Sequence, residues 1–405
     1  MPEAERRAPI DVLIVGAGMH VSGRGTSTCG TVLPAVVQAH RDGVVGRMTI
    51  AATSAKSVEA FNEKLATLNR RLGTAARFEG FPAQGTDPEA WRQALAGLGP
   101  RGCVIIVVPD DLHAPIATEA LRKRLPVLVE KPLTPTLAEA QALVALARDL
   151  GVYGAVDFHK RWDLINLKLK ETIEDGRLGA PLYSIVEYSQ RRVIPEQIFR
   201  SWVEKANPFQ YLCVHFVDVL SFALQAVPRR AMAVGQRCYL RRRSIDAYDS
   251  VQACIEWSLP GSSVPFVSTF VANWIDPNTT SALSYQSLKV IGTEGRYESD
   301  QRDRGLTLIT EAGGIETLNP YFTQSYPIGD GTRREYRGYG IDSVRTFLED
   351  VQDLRDGRCT PGELEAHRPT LCQALVSTAV VDGVNRSLAA DGAWVPVGPL
   401  EAAER

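Results

Sequence analysis

VIIVVPDDLHAPIATEALRKRLPVLVEKP, residues 104–132, runs from an apolar stretch through a helical pattern to a second apolar stretch. The first stretch is rich in Val and Ile and stops at Pro109-Asp110-Asp111; the second, Val127-Leu128-Val129, stops at Glu130-Lys131-Pro132. Strand, helix and strand within about thirty residues is the size of one parallel crossover unit. Strands without polar alternation belong in a sheet covered by helices on both faces. Polar residues that break in directly after such strands stand at their carboxyl ends, where open α/β sheets bind ligands. Asp111, His113, Glu130 and Lys131 have that placement. A Glu-Lys pair held in front of a proline is an unusual end for a buried strand, and it marks the centre of the expected site.

Upstream, Ile10 to Val15 reads as the first strand, followed at once by Gly16-Ala17-Gly18, and helical patterning resumes near Thr31. Strand, glycine turn and helix are the opening of a dinucleotide-binding domain, in which the glycines let the backbone approach a pyrophosphate. Gly16, Gly18, Met19 and His20 are therefore expected beside a cofactor. The third glycine of a strict G-x-G-x-x-G is missing, since position 21 is Val21, and the loop from Met19 to Gly30 is lengthened and rich in hydroxyls. The next strand, Arg47 to Ala52, ends in Thr53-Ser54-Ala55-Lys56 rather than in the acidic residue that binds an NAD ribose. Hydroxyls and a lysine suit the additional phosphate of NADP, so Thr53, Ser54 and Lys56 favour NADP(H) over NAD(H). Lys56 also reads as the solvated start of a helix. Pro109 and His113 complete the expected cofactor-facing set.

The chain has 405 residues, enough for two domains. With 44% apolar and 23% charged residues it is an ordinary globular composition. The net charge of −2 gives no reason to expect nucleic acid or an anionic membrane surface. Arg241-Arg242-Arg243 reads as a solvated strand end or loop. Seven scattered cysteines show no C-x-x-C and no His/Cys ligand spacing, so neither a metal nor a disulfide framework is expected. The charged start MPEAERRAP lacks the apolar core of a signal peptide. No apolar run approaches the roughly 18 residues of a membrane span. These features lead to the expectation of a soluble, cytoplasmic protein.

Downstream of the quoted stretch, Gly151 to Val156 is a further strand ending in Asp157-Phe158-His159-Lys160-Arg161-Trp162, and the first domain is expected to close there. The fold class expected is α/β. A dinucleotide-binding domain over residues 1–157 precedes a second domain over 158–405, built on a large, mostly antiparallel open sheet with a few helices. Strand patterns occur at Leu182 to Gln190, Arg229 to Leu240, Ser250 to Ser258, Val264 to Asn273, Ser284 to Gly292, Gly295 to Asp300 and Leu306 to Thr310. Ile341 to Asp356 and His367 to Leu388 read as helices. One more helix, Phe209 to Gln225 behind Asn207-Pro208, carries Tyr211, His215 and Asp218 at spacings of four and three, which places them on one helix face.

Taken in order, these motifs resemble the glucose–fructose oxidoreductase and inositol dehydrogenase family, Gfo/Idh/MocA. The carrying residues are Gly16-Ala17-Gly18, Pro109 to His113, Glu130-Lys131-Pro132, His159 to Trp162, Cys213 to Asp218, and Ile291 to Gly295. The resemblance spans roughly residues 10 to 300, and Glu-Lys-Pro in its context is its most specific part. It implies hydride transfer between a nicotinamide and a hydroxyl-bearing carbon of a sugar or cyclitol. It also implies a homodimer or homotetramer formed through the C-terminal sheet. By position, Lys131 would contact nicotinamide ribose and substrate, and His215 would donate or accept the proton. Tyr211 and Asp218 would support them, with His159 and Arg161 in the substrate pocket. A histidine suits proton transfer near neutral pH, and a neighbouring ammonium stabilises a developing alkoxide. Two departures stand out: Tyr211 occupies a position where the family often has Asp, and Cys213-Val214 replaces a common Gly-Gly. The tyrosine keeps open a redox-neutral, NAD-using glycosidase or epimerase. The altered glycine loop keeps open a nucleotide-sensing protein with a degenerate site.

Overall fold

The computed structural model describes residues 7–398. The chain divides into two compact units: the first comprises the chain up to Thr134 with residues 138–162 and 321–373, the second residues 135–137, 163–320 and 374 onward. The single cut expected after residue 157 is thus corrected, because residues 321–373 return to the first unit. The physical cause is helix α9 (Tyr339–Arg355), numbered with the other elements in chain order. Its Ile341, Val344, Phe347, Leu348 and Val351 join the same apolar core as the first strand and the helices beside it. Burying each such side chain is worth about 1.5–3 kcal/mol, which ties a segment distant in sequence to this core.

The first unit is built on β1 (Ile10–Val15), β2 (Val45–Ala51), β3 (Glu79–Phe81), β4 (Gly102–Ile106), β5 (Val127–Val129) and β6 (Gly154–Val156). They form one six-stranded sheet in the order β3-β2-β1-β4-β5-β6. Every pairing in it is parallel. β4, β5 and β6 are buried at every residue, as their unbroken apolar runs require. The connections carry α1 (Met19–Ser22), α2 (Val32–Arg41), α3 (Ala55–Leu72), α4 (Ala90–Ala96), α5 (His113–Arg122) and α6 (Leu137–Leu150). The order reverses between β1 and β4, the crevice where such sheets take ligands. The free edge of β6 is covered by residues 369–371: Val156 N–H donates to Pro369 O, and Leu371 N–H donates to Gly154 O. That pairing overturns the helix expected from His367, which starts only at Ala374. The chain from Pro369 to Leu371 is held extended along an edge that would otherwise be exposed.

In the second unit α7 (Leu164–Glu174) leads to β7 (Pro181–Arg191), and α8 (Val214–Leu224) precedes β8 (Val227–Gln236). Then follow β9 (Ser250–Ser258), β10 (Phe266–Asp276), β11 (Ser284–Gly292), β12 (Arg296–Asp300), and the hairpin β13 (Thr307–Thr310) with β14 (Gly314–Thr317). A second hairpin, β15 (Gln324–Ile328) with β16 (Arg333–Arg337), belongs to the first unit, as does α10 (Pro361–Glu365). The last elements, α11 (Ala374–Ala389) and β17 (Val395–Pro396), return to the second. Its seven-stranded sheet has the order β12-β11-β7-β10-β9-β8-β17. Only β7 with β10 is parallel, so the sheet is mostly antiparallel, as expected. One face carries Val186, Tyr188, Phe266, Phe270, Ile255 and Trp257, all buried. The other presents Tyr183, Ile185 and Val271, all exposed. No helix among the described residues is long and apolar enough to cross a membrane.

Candidate active site

At the end of β1 the chain turns on Gly16, whose φ of +107° and lack of a side chain are both required: a Cβ there would lie 1.9 Å from Val107 O. Gly18, by contrast, has nothing within 4 Å of where a Cβ would stand, so the turn leaves open space over its backbone. That combination fits close approach of a dinucleotide pyrophosphate. The single helical turn α1 then presents His20. The lengthened loop is tied down: Thr26 donates to Gly23 O at 2.8 Å, Thr31 N–H to His20 O at 2.7 Å, and Lys64 Nζ to the carbonyls of Thr26 and Thr28.

At the end of β2, Ser54 caps α3, its hydroxyl accepting from Ser57 N–H at 3.2 Å. Thr53 and Lys56 are exposed there. Arg24 from the lengthened loop reaches this strand end and donates to Ser57 Oγ at 3.1 Å. The sequence reading did not single out Arg24, because thirty-three residues separate it from its partner.

The ends of β4, β5 and β6 bring together the most heavily charged group. Lys131 is 5% exposed, and its Nζ lies 3.9 Å from Glu130 Oε1. His20 Nε2 stands between two carboxylates, 3.4 Å from Glu130 Oε2 and 3.2 Å from Asp157 Oδ2. Asp157 accepts a further bond, at 2.5 Å, from the Ser343 hydroxyl of α9. Burial lowers the Lys131 ammonium below the ordinary lysine range, against the pull of Glu130, Asp110 and Asp157. Burial raises the Glu130 carboxyl. For His20 burial works downward, but Glu130 and Asp157 outweigh it and its value is raised. Asp157 is lowered despite its burial, because His20, His159 and Ser343 favour its charged form. The imidazolium form of His20 and the carboxylate form of Asp157 therefore support one another.

His113 is fully buried, with Nδ1 2.9 Å from Pro132 O and Nε2 2.9 Å from Val108 O, so it clamps the exit of β4 to the Glu130–Pro132 turn. Pro109 precedes the short turn that leads into α5. His159, Lys160 and Arg161 lie on a turn of 3-10 helix after β6 and are all buried. The His159 ring is stacked with Tyr339 (centroids 5.7 Å apart) and tilted against Phe322 (5.2 Å), and Arg161 is bonded to Gln373. Burial pushes the His159 imidazole down to about 3, which keeps it neutral.

In the second unit the expected single helix over Phe209 to Gln225 is corrected. Phe209–Cys213 is a π-helical turn, and α8 begins at Val214. Tyr211 therefore sits on a widened turn, packed edge-on against Phe199 (4.7 Å), while His215 and Asp218 lie buried within α8. π-turns inserted in helices are frequent at functional sites. Asp157 and Ser343 were not among the expected site residues. Asp157 had a visible signal, its place at a strand end, whereas Ser343 had none.

Comparison with known proteins bears on this arrangement. A family model for an oxidoreductase family with an NAD-binding Rossmann fold matches residues 10–158, and one for the Gfo/Idh/MocA C-terminal domain matches residues 166–298. The chain belongs to the Gfo/Idh/MocA family. This member is similar to 1,5-anhydro-D-fructose reductase from Ensifer adhaerens, at 26% identity over 53% of this chain and 63% of the relative. It is also similar to scyllo-inositol 2-dehydrogenase (NAD(+)) from Bacillus subtilis, at 24% identity over 54% of this chain and 61% of the relative. The matched part thus spans less than two thirds of either relative's length. In fold, the Gfo/Idh/MocA chain is similar to an inositol dehydrogenase homolog from Azotobacter vinelandii, solved with NADH and myo-inositol. There the TM-score is 0.70 at 19% identity, covering 97% of this chain and 99% of that one.

Proposed function

We propose that this Gfo/Idh/MocA chain is an NAD(P)-dependent oxidoreductase that moves a hydride between a nicotinamide and a hydroxyl or keto carbon of a sugar, sugar derivative or cyclitol. The observation that carries the reading is the buried Lys131 ammonium at the carboxyl end of β5, in one charged group with His20 from the glycine turn. The relatives' names point to the same substrate class. The cofactor, when bound, supplies the hydride acceptor. Gly16 to His20 would hold its pyrophosphate side, and Glu130 and Lys131 its nicotinamide ribose. Oxidising an alcohol carbon releases a hydride and a hydroxyl proton. His215 takes that proton in this reading, and Lys131 stabilises the alkoxide as it forms. Tyr211, Asp218, His159 and Arg161 orient substrate hydroxyls.

NADP(H) is the cofactor favoured. Arg24 is a guanidinium able to make charge-assisted bonds to a ribose phosphate, and it lies with exposed Lys56 at the end of β2, which carries no acidic residue. The exposed apolar face of the seven-stranded sheet supports a homodimer or homotetramer, and seven free cysteines accord with a reducing compartment such as the cytoplasm. Calorimetric titration with NADPH and NADH separately, followed by a sugar and cyclitol panel read at the absorbance of reduced nicotinamide, tests the proposal. Tight NADPH binding and turnover of a polyol or its ketone are expected. No binding of either nucleotide, with none retained through purification, would overturn it.

A further inference from the structure

We propose that an arginine-rich surface at one end of the seven-stranded sheet binds a phosphate or diphosphate group of the substrate, which rests on the oxidoreductase reading and narrows its substrate class to phosphorylated sugars. β7 and β10 run parallel, with β9 and then β8 antiparallel beside them. The carboxyl ends of β7 and β10 and the connection from β8 to β9 therefore meet at the same end of the sheet. Two stretches emerge there, residues 191–205 after β7 and residues 237–246 after β8. Together they carry eight Lys and Arg against three Asp and Glu, in a chain whose net charge is −2. Positive charge concentrated in this way on an otherwise acidic chain draws anions to one place.

Side chains join the two stretches, all of them within the second unit. Arg243 Nε lies 2.9 Å from Glu196, and Arg200 donates to Ser244 O at 3.1 Å. The Tyr239 hydroxyl donates to Glu196 at 2.8 Å and accepts from Arg192 at 3.1 Å. The guanidinium groups of Arg192 and Arg243 both rest on the Tyr239 ring, 4.6 and 3.8 Å from its centre. Buried Asp249 accepts from the backbone N–H groups of Cys238, Tyr239 and Leu240, which fixes the turn carrying Arg241–Arg243. Arg237 and Arg241 share Asp246, whereas Arg242 is exposed and meets no carboxylate among the described residues. Asp276 is a further carboxylate beside Arg192, and burial raises it. The like charges are held in place with too few carboxylates to balance them. Arginine forks match phosphate oxygens in pairs, and a phosphate ester brings about −1.5 to −2 of charge, more than a single carboxylate. Position favours a substrate group over a macromolecule. Phe199 of the first stretch packs against Trp202 (4.2 Å) and Tyr211 (4.7 Å), so the arginines flank the π-turn whose tyrosine orients substrate hydroxyls in the proposed reaction. Arg241–Arg243 reads as a solvated run in the sequence because Arg192, Glu196 and Tyr239 join it only in the fold.

The test is a titration of the protein, first saturated with NADPH so that the nucleotide site is filled, with inorganic phosphate and with inorganic pyrophosphate. One anion per chain is expected, bound about 10–100-fold more weakly in Arg192→Gln and in Arg242→Gln. Tighter phosphate points to a phosphate ester, and tighter pyrophosphate to a sugar diphosphate. In the wild-type protein either anion should shift the Nε–H NMR signals of Arg192 and Arg243, which decides the matter if the variants do not fold. NADPH binding with no anion-dependent shift, or with equal anion affinity in folded variants, would overturn this inference and leave the oxidoreductase reading standing. Anion binding without any NADPH binding would keep the anion site and remove the hydride chemistry. A fall in molar mass on Arg242→Glu, with no anion bound by the wild type, would make the surface a subunit contact instead.

Discussion

Lys131→Met separates the chemistry of the buried ammonium from its structural role. The methionine stem fills similar volume, and the cost of removing one member of a buried pair, about 3–5 kcal/mol where the other charge is left alone, falls when that charge keeps a second partner. Glu130 keeps His20 at 3.4 Å as its charge partner, so stability within about 1–2 kcal/mol of wild type is expected. Catalysis should respond very differently. Lys131 Nζ stands 3.9 Å from the Glu130 carboxylate. At that distance and an effective dielectric constant of about 20, unit charges attract by about 4 kcal/mol. An alkoxide forming equally close to Nζ would lose about that much stabilisation in the variant, or about 10³ in rate. Steady-state kinetics on a polyol identified in the substrate panel, with circular dichroism and NADPH calorimetry on the same samples, reads all three quantities. The expected pattern is a kcat lower by about 10²–10³, a native spectrum, and nucleotide affinity within about tenfold. Turnover within a few-fold of wild type would remove Lys131 from the mechanism.

Other substitutions probe the cofactor, the fold and the assembly. Arg24→Ala should weaken NADPH binding by about 10–100-fold, the worth of one charge-assisted contact, while NADH binding changes little. Equal losses for the two nucleotides would contradict the assignment of a phosphate contact to Arg24. His159→Phe should alter the dependence of stability on pH. Folded His159 titrates at about 3 because it is buried, whereas the unfolded residue titrates near 6.5. Its contribution is therefore complete above pH 6.5 and is lost as pH falls toward 3, by up to about 1.4 kcal/mol per pH unit. His20, with its raised value, has the opposite sign: its contribution is present below pH 6.5 and lost as pH rises. Urea unfolding between pH 7.5 and 5 should show wild type losing stability faster than the phenylalanine variant on acidification, and parallel curves would refute this. Ile185→Lys, at a position 42% exposed on the open sheet face, should reduce the molar mass measured by light scattering. An unchanged mass would place any subunit contact elsewhere.

Much of the fold was legible along the chain because local chemistry imposes it. Unbroken apolar runs at β4 and β5 required a sheet covered on both faces, and their polar stops put Glu130 and Lys131 at the strand ends. The succession of strand patterns from Leu182 onward indicated a large, mostly antiparallel sheet, and its pairing is as expected. The return of residues 321–373 was not legible, because an amphipathic helix such as α9 shows that it has an apolar face without showing which core receives it. The π-turn at Phe209–Cys213 was hidden for a related reason: a single widened turn leaves the apolar pattern almost unchanged.

The candidate site divides in the same way. Residue types at strand ends singled out Gly16, His20, Glu130 and Lys131 as candidates from local order alone. Only the tertiary structure set His20 between Glu130 and Asp157, brought Ser343 to Asp157 from α9, and buried His113 as a clamp on three backbone carbonyls. These are contacts between residues 5 to 186 positions apart. Their distances, and the protonation states that follow from them, depend on how strands and helices pack. Local sequence determines where a charged side chain leaves the backbone, while packing decides which charges it must answer.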